Sequence, residues 1–354
     1  MLRKNRCLNQ NNKNNTTSFF LAQLIALANS MDCQCSSDNS GMGGQVGMGG
    51  IYASQGGMGG PGGYPPITHG FGFPAQRGVP ITTFGGTQQM IEFIVRTSAD
   101  EIYENWWECM QPDMLTLMRS DEQTFWNTLE NPVQKCEKLG SLQNIIMEPF
   151  TNLDETKYSI LPICEKPDMS VVTLGVGQDV NAETQLLQRL GNSSLLFFGA
   201  DPIVEGNDES FSKVGTFFPF AIGNSSKMGK ASVLENGVYV DKRVVHVELI
   251  EFLKGIIGKT FFDNIWIDGE YAEYELFDYF YNGGKLDKEK ITICQFNMEV
   301  HLPTLRQQQE FKEFIVRIYN DKRYAFFRPV RGNHIRLYFV NFKDPICAKK
   351  FISG

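Results

Sequence analysis

Two glycines, Gly175 and Gly177, follow an apolar run at residues 170–175 and precede a stretch with helical spacing. Glycines at a strand-to-helix turn let a ligand approach the backbone closely. The helix start behind them offers N–H groups that the helix leaves without partners. A second apolar run, residues 194–199, leads into Ala200 and Asp201. An acid there, about 20 residues or more past the glycines, suits the two hydroxyls of an adenosine ribose. The spacing fits NAD and S-adenosylmethionine alike. Asn181 and Ala182, however, stand where a third glycine of the dinucleotide pattern falls. A pyrophosphate wants that glycine, whereas a sulfonium cofactor has no phosphate to cradle.

A second group of chemically capable residues lies further on. Asp268, Glu270 and Glu273 follow another apolar run, residues 262–268. All three complement the dipole of a following helix. Asp268 and Glu270 suit equally well a place beside a reacting methyl group or a substrate hydroxyl; for Glu273 the dipole reading is preferred. In residues 291–301, Gln295, Asn297, Glu299 and His301 alternate with Phe296, Met298 and Val300. A central parallel strand is expected to be apolar on both faces. The polar stripe is either a buried amide ladder with a structural histidine, or a site. As a site, His301 is a general base on an acceptor hydroxyl, with Glu299 or Asp268 orienting it. Asp268, Glu270 and His301 lack any diagnostic metal-ligand spacing, and no nucleophile elbow, P-loop or zinc pattern is present.

These residues need a scaffold. Helical spacing is expected before Pro149, with Trp106, Trp107 and Trp126 as packing residues. From about Met169, strands alternate with helices: strands at residues 170–175, 194–199, 217–222, 262–268 and 291–301, and helices at 183–190, 245–257 and 311–318. A helix after Asp268 is expected to end at Gly283 and Gly284, and Gly332 and Asn333 turn a closing hairpin. Such alternation predicts an α/β fold with a mostly parallel sheet covered on both faces. The ligand crevice then lies where strand order reverses, at the carboxyl ends of the first and fourth strands.

The chain has 354 residues, and 33 Lys and Arg against 40 Asp and Glu give a net charge of −7, which argues against a nucleic-acid partner. Residues 1–30 read as a secretory signal peptide: Arg3, Lys4 and Arg6, then a short apolar core from Phe19 to Ala28, with cleavage after Ser30. No run is long enough for a membrane span after that cleavage. Residues 31–85, with Gly-Met-Gly-Gly repeated, read as a flexible linker. Residues 86–165 form a leading helical region, and residues 166–354 the strand-rich domain. In an oxidising lumen Cys109 and Cys136 are the best disulfide pair. Cys7 is lost with the signal, Cys33 and Cys35 stay free, and Cys164, Cys294 and Cys347 are plain buried thiols. Asn192 and Asn224 head glycosylation sequons.

The blocks GVGQDVNAE, FFGADP, FPFAIGN, NIWIDGEYAEYEL and CQFNMEVHLP, in this order, resemble the FkbM-type methyltransferase-like family. The likeness is greatest to its nematode branch and to animal methyltransferase-like proteins, and it covers about Val171 to Asn341. It implies a class I methyltransferase, Rossmann-like, with seven strands, the last antiparallel, and S-adenosylmethionine as cofactor. By the same resemblance Gly175 and Gly177 line the methionine side, Asp201 binds the ribose, and Ala221 passes the adenine. Asp268 and Glu270 fall in the family's acidic block. Trp266 stands where the family has Lys, and Tyr271 where it has Gly; both are expected to narrow the site.

The leading expectation is an O-methyltransferase acting on a small-molecule or glycan hydroxyl, secreted or in the lumen of the secretory pathway. The alternative is a catalytically inactive binding module of the same fold. A nicotinamide-dependent oxidoreductase is a distant third.

Overall fold

The computed structural model describes residues 98–353, apart from 164–167, 192–194, 236–237 and 302. The expected signal peptide and linker, Cys164 and the Asn192 sequon lie outside the described residues.

The described residues open with three helices: α1 (Ala99–Arg119), α2 (Glu122–Thr128) and α3 (Glu130–Cys136). The Ser98 side chain accepts the Glu101 N–H at the start of α1, and Asp100 and Glu101 meet the dipole there. Ile102, Tyr103, Trp106, Met110, Met114 and Leu117 recur every three or four residues and form the buried stripe. Trp106 packs edge-on to Phe326 at 5.1 Å. A disulfide joins Cys109 of α1 to Cys136 of α3, as expected for that pair.

An antiparallel hairpin follows, β1 (Met147–Thr151) and β2 (Thr156–Ile160). The sequence reading did not contain it. Next come β3 (Met169–Leu174), α4 (Asn181–Leu190), β4 (Leu195–Ala200), α5 (Asn207–Phe211) and β5 (Thr216–Phe218). The run at 217–222, expected as one strand, is two: β5 joins the main sheet, and β6 (Ala221–Gly223) joins a second sheet with β7 (Lys227–Glu235) and β8 (Val238–Glu248). The helix expected at 245–257 is instead the end of β8 followed by a π-helical turn, Glu251–Ile256. Val238, Val240, Val244, Val245 and Val247 are β-branched, and that preference prevails over helical spacing here.

The remaining elements are β9 (Phe261–Phe262), β10 (Asn264–Ile267), α6 (Glu273–Leu276), α7 (Lys285–Lys288), β11 (Thr292–Ile293), β12 (Gln295–Val300), α8 (Leu305–Asp321), β13 (Tyr324–Arg331), β14 (Ile335–Asn341) and α9 (Pro345–Phe351). The helix expected to reach Gly283 is only α6 and a following 3-10 turn, Phe277–Tyr279. A reciprocal Thr304–Gln307 capping box starts α8. Cys294 and Cys347, expected as plain thiols, are bridged, tying α9 to the start of β12.

The main sheet has seven strands in the order β13-β14-β12-β10-β3-β4-β5. β12, β10, β3, β4 and β5 are parallel, and β14 runs antiparallel between β12 and β13. The order reverses at β3 and β10, as expected. All six residues of β3 are buried, as a strand covered on both faces requires. The polar stripe on β12 finds its partners in the β1–β2 hairpin. Gln295 accepts the Ile160 N–H at 2.8 Å and donates to its carbonyl at 3.1 Å. Asn297 accepts the Tyr158 N–H at 2.8 Å and donates to its carbonyl at 2.9 Å. The opposite face of β12 is apolar, with Phe296 stacked on Phe339 at 4.3 Å.

Candidate functional site

Strand register sets the site. Ile267 of β10 lies opposite Leu174 of β3, which lies opposite Ala200 of β4. The next residues, Asp268, Gly175 and Asp201, therefore leave the sheet side by side. Their backbones interlock: the Gly175 N–H donates to the Ala200 carbonyl at 2.9 Å, and the Asp268 N–H to the Leu174 carbonyl at 2.8 Å. Gly175 has φ +84, and a Cβ there would fall 1.8 Å from the Asp268 carbonyl oxygen. Gly177 has φ +55 with nothing within 4 Å of a Cβ position, so its glycine serves conformation and leaves open space.

Asp201 ties the glycine turn down. One carboxylate oxygen accepts the Val176 N–H at 2.9 Å and the Gly177 N–H at 3.4 Å; the other accepts the Ile203 N–H at 2.7 Å. Burial lifts its pKa above the ordinary aspartate value against the pull of these donors. The start of α4, expected to present free N–H groups, is already occupied. Asn152 accepts the Ala182 N–H at 2.8 Å, and Asp179 accepts the Asn181 N–H at 2.9 Å. The hairpin that supplies Asn152 is thus part of the site wall.

Acidic side chains surround His301 at the other end. Its Nε2 lies 3.1 Å from Glu270 and 3.4 Å from Asp268. Its Nδ1 lies 3.0 Å from Glu273, which also accepts the Gly269 N–H at 2.8 Å. Glu273, read from sequence as a dipole residue, is wholly buried and is the group that orients the ring. No sequence signal marked it; the chain curls back through Glu270 (φ 48) and Tyr271 (φ 81), a left-handed path that side chains rarely adopt. Burial alone would lower the His301 pKa, but the hydrogen bond to Glu273 and the charges of Glu273, Asp268 and Glu270 push it up to about 9. At neutral pH the ring is a cation with both N–H groups pointing at carboxylates. The general-base role expected for His301 needs a neutral ring and does not fit this geometry. Burial and the charges of Glu299 and Glu155 raise Asp268 well above its ordinary value. Burial would also lift Glu299, yet His334 and Arg336 bring it down to about 2, with Arg336 Nε at 2.5 Å.

Atoms of Asp268, Glu270 and His301 lie within 4.8 Å of one another, the reach of a metal ion. The charged imidazole already supplies the positive charge there.

Gly175, Gly177, Asp201, Ala221, Asp268 and Glu270 line one cavity of about 1110 Å³. His301 is not among its lining residues and sits behind Asp268 and Glu270. Trp266, expected to narrow the site, is fully buried against Phe197 and does not line the cavity. Tyr271 does, with its ring 5.5 Å from that of His301.

The seven-stranded order, the antiparallel β14 and the glycine turn beside an acid at the end of β4 fit a class I methyltransferase fold. Residues 108–327 match the Methyltransferase FkbM domain, and the chain belongs to that family. Among curated proteins, none matches it. Solved structures of remote likeness include the following two. A protein described as an rRNA-methylase from Clostridium thermocellum is 9% identical, with 49% of this chain and 86% of that one covered and a TM-score of 0.29. The pyocyanin biosynthetic protein PhzM is 9% identical, with 69% and 70% covered and a TM-score of 0.25.

Proposed function

We propose that the protein is an S-adenosylmethionine-dependent methyltransferase that methylates a hydroxyl of a small molecule or glycan. The observation that carries this reading is the single cavity bounded at one end by Gly175, Gly177 and Asp201 and at the other by Asp268 and Glu270.

The donor set fits the cofactor. Gly177 leaves the turn open, and Ala221 is a small side chain on the wall. Asp201 already holds three backbone donors and the Asn207 side chain, about what a carboxylate can accept, so a ribose hydroxyl takes the place of the long 3.4 Å Gly177 bond. Carboxylates outnumber cations around Asp268, which suits a ligand carrying a sulfonium and an ammonium. When bound, S-adenosylmethionine supplies a methyl group on a positively charged sulfur. The protein's own part is to hold the acceptor oxygen and take its proton. Asp268, on the cavity wall with its pKa raised by burial and by the charges of Glu299 and Glu155, takes that proton. Glu270 orients the hydroxyl. The His301 cation, held by Glu273, keeps both carboxylates in place. Positioning supplies most of the acceleration in such a transfer.

The disulfides Cys109–Cys136 and Cys294–Cys347 favour an oxidising compartment, and Asn224 of the second sequon is exposed. Both support the secreted or lumenal reading. No helix among the described residues is long and apolar enough to cross a membrane.

Calorimetric titration with S-adenosylhomocysteine tests the assignment. Saturable binding is expected, weakened at least about tenfold (about 1.4 kcal/mol) by Asp201→Ala. No heat and no thermal shift at millimolar ligand, in a folded protein, would remove the cofactor and leave the binding-module reading.

A further inference from the structure

Lys157 on β2 is a buried ammonium that the chemistry above does not use. Only 3% of the residue is exposed. Its Nζ lies 2.7 Å from Glu155 and 5.2 Å from the centre of the Trp266 ring. Burial would lower its pKa, but the charges of Glu155, Glu183 and Asp268 more than reverse that, so it stays charged.

The carboxylates it faces come from three separate elements: the hairpin turn, the first turn of α4 behind the glycines, and the end of β10. Glu155 lines the cavity and Lys157 does not. Carboxylate oxygens of Glu155, Asp268 and Glu299 lie within 4.8 Å of one another. Glu299 has Arg336 and His334, and Asp268 has His301. Among the described residues Lys157 makes the direct ion pair with Glu155, while Arg336 acts on it from farther away and the Asn152 side chain donates to it at 3.3 Å.

Docking of the hairpin does not require this pair. Gln295 and Asn297 hold the β2 backbone, Arg189 holds Glu148 with two bonds of 2.9 Å, and Gln185 holds Thr151. A buried ion pair is also weak evidence for stability, since an apolar pair of similar volume often serves as well. Like charges this close repel, so Glu155 needs its directly paired cation to stay beside Asp268.

We propose that Lys157 is a positioning residue of the site, the cation through which the β1–β2 hairpin holds Glu155 on the cavity wall beside Asp268. This rests on the cofactor reading for its affinity readout and not for its second readout. The substitution Lys157→Met keeps the length and removes the charge. In the full chain it is expected to weaken S-adenosylhomocysteine binding at least about tenfold. Lys157→Arg keeps affinity, and adding Glu155→Gln to Lys157→Met restores it, because the uncompensated charge is gone. A packing role would show neither rescue.

Amide hydrogen exchange is the ligand-free readout. Lys157→Met is expected to speed exchange at Leu153, whose N–H donates to Asp179 at 2.8 Å, while Tyr158 and Ile160 stay protected. Glu155→Gln added to it restores protection. If the wild type fails to bind, the cofactor reading falls, and exchange alone decides the role of Lys157. Should Lys157→Met not fold, Lys157→Arg and the double variant decide it: a double variant with wild-type exchange supports the proposal. Unchanged affinity or unchanged exchange in folded Lys157→Met would overturn it, and so would loss that Glu155→Gln does not repair.

Discussion

At the β3–β4 end of the cavity the surface is backbone: two glycines with positive φ, and N–H groups collected on Asp201. At the β10–β12 end it is charged side chains arranged around one histidine. A backbone surface is fixed by sterics, so any added atom breaks it. A charged surface is fixed by protonation, so it tolerates shape changes but answers to pH. The two ends should therefore fail in different ways.

Gly175→Ala is the largest expected effect. The new Cβ meets the Asp268 carbonyl at 1.8 Å on a φ of +84, and a loss of at least about 3 kcal/mol in denaturant unfolding is expected, with Gly177→Ala costing less. A near-neutral Gly175→Ala would show that the loop ends do not interlock.

Glu273→Gln comes next. It removes the charge that orients a buried cation, and a loss of about 3 kcal/mol is expected, with the His301 titration, followed by NMR, falling from about 9 towards the ordinary histidine value. The pH dependence follows in sign. A group whose pKa is raised by folding stabilises fully below its unfolded value and loses that contribution as pH rises through the folded value. Stability should therefore decline between about pH 7 and pH 9–10. His301→Asn should flatten that slope while lowering stability at neutral pH. An unchanged slope would mean the ring is neutral.

The smallest effect is a gain. Tyr271 holds φ 81 with 37% of its surface exposed. Tyr271→Gly should raise stability by about 1 kcal/mol by removing left-handed strain, partly offset by chain entropy. A loss of that size would mean the ring's contact with His301 outweighs the strain.

Legibility in the sequence followed the same division. Gly175, Gly177, Asp201, Asp268 and Glu270 sit at strand ends, and strand alternation alone brings such ends together. Glu155 and Lys157 reach the site from a hairpin more than a hundred residues before Asp268, with no periodicity to announce them. Glu273 arrives through two left-handed residues, which no apolar pattern encodes. The β12 stripe was legible as an anomaly, and its cause, the backbone of β2, was not. Cys294 and Cys347 are 53 residues apart, and only the docking of α9 brings them together.

The most direct test is a crystal structure with S-adenosylhomocysteine. The account predicts the ribose hydroxyls on Asp201, the ligand backbone passing Gly177, and the sulfur facing Asp268. Ligand density elsewhere on a folded chain, or with the adenosine turned away from Asp201, would contradict it.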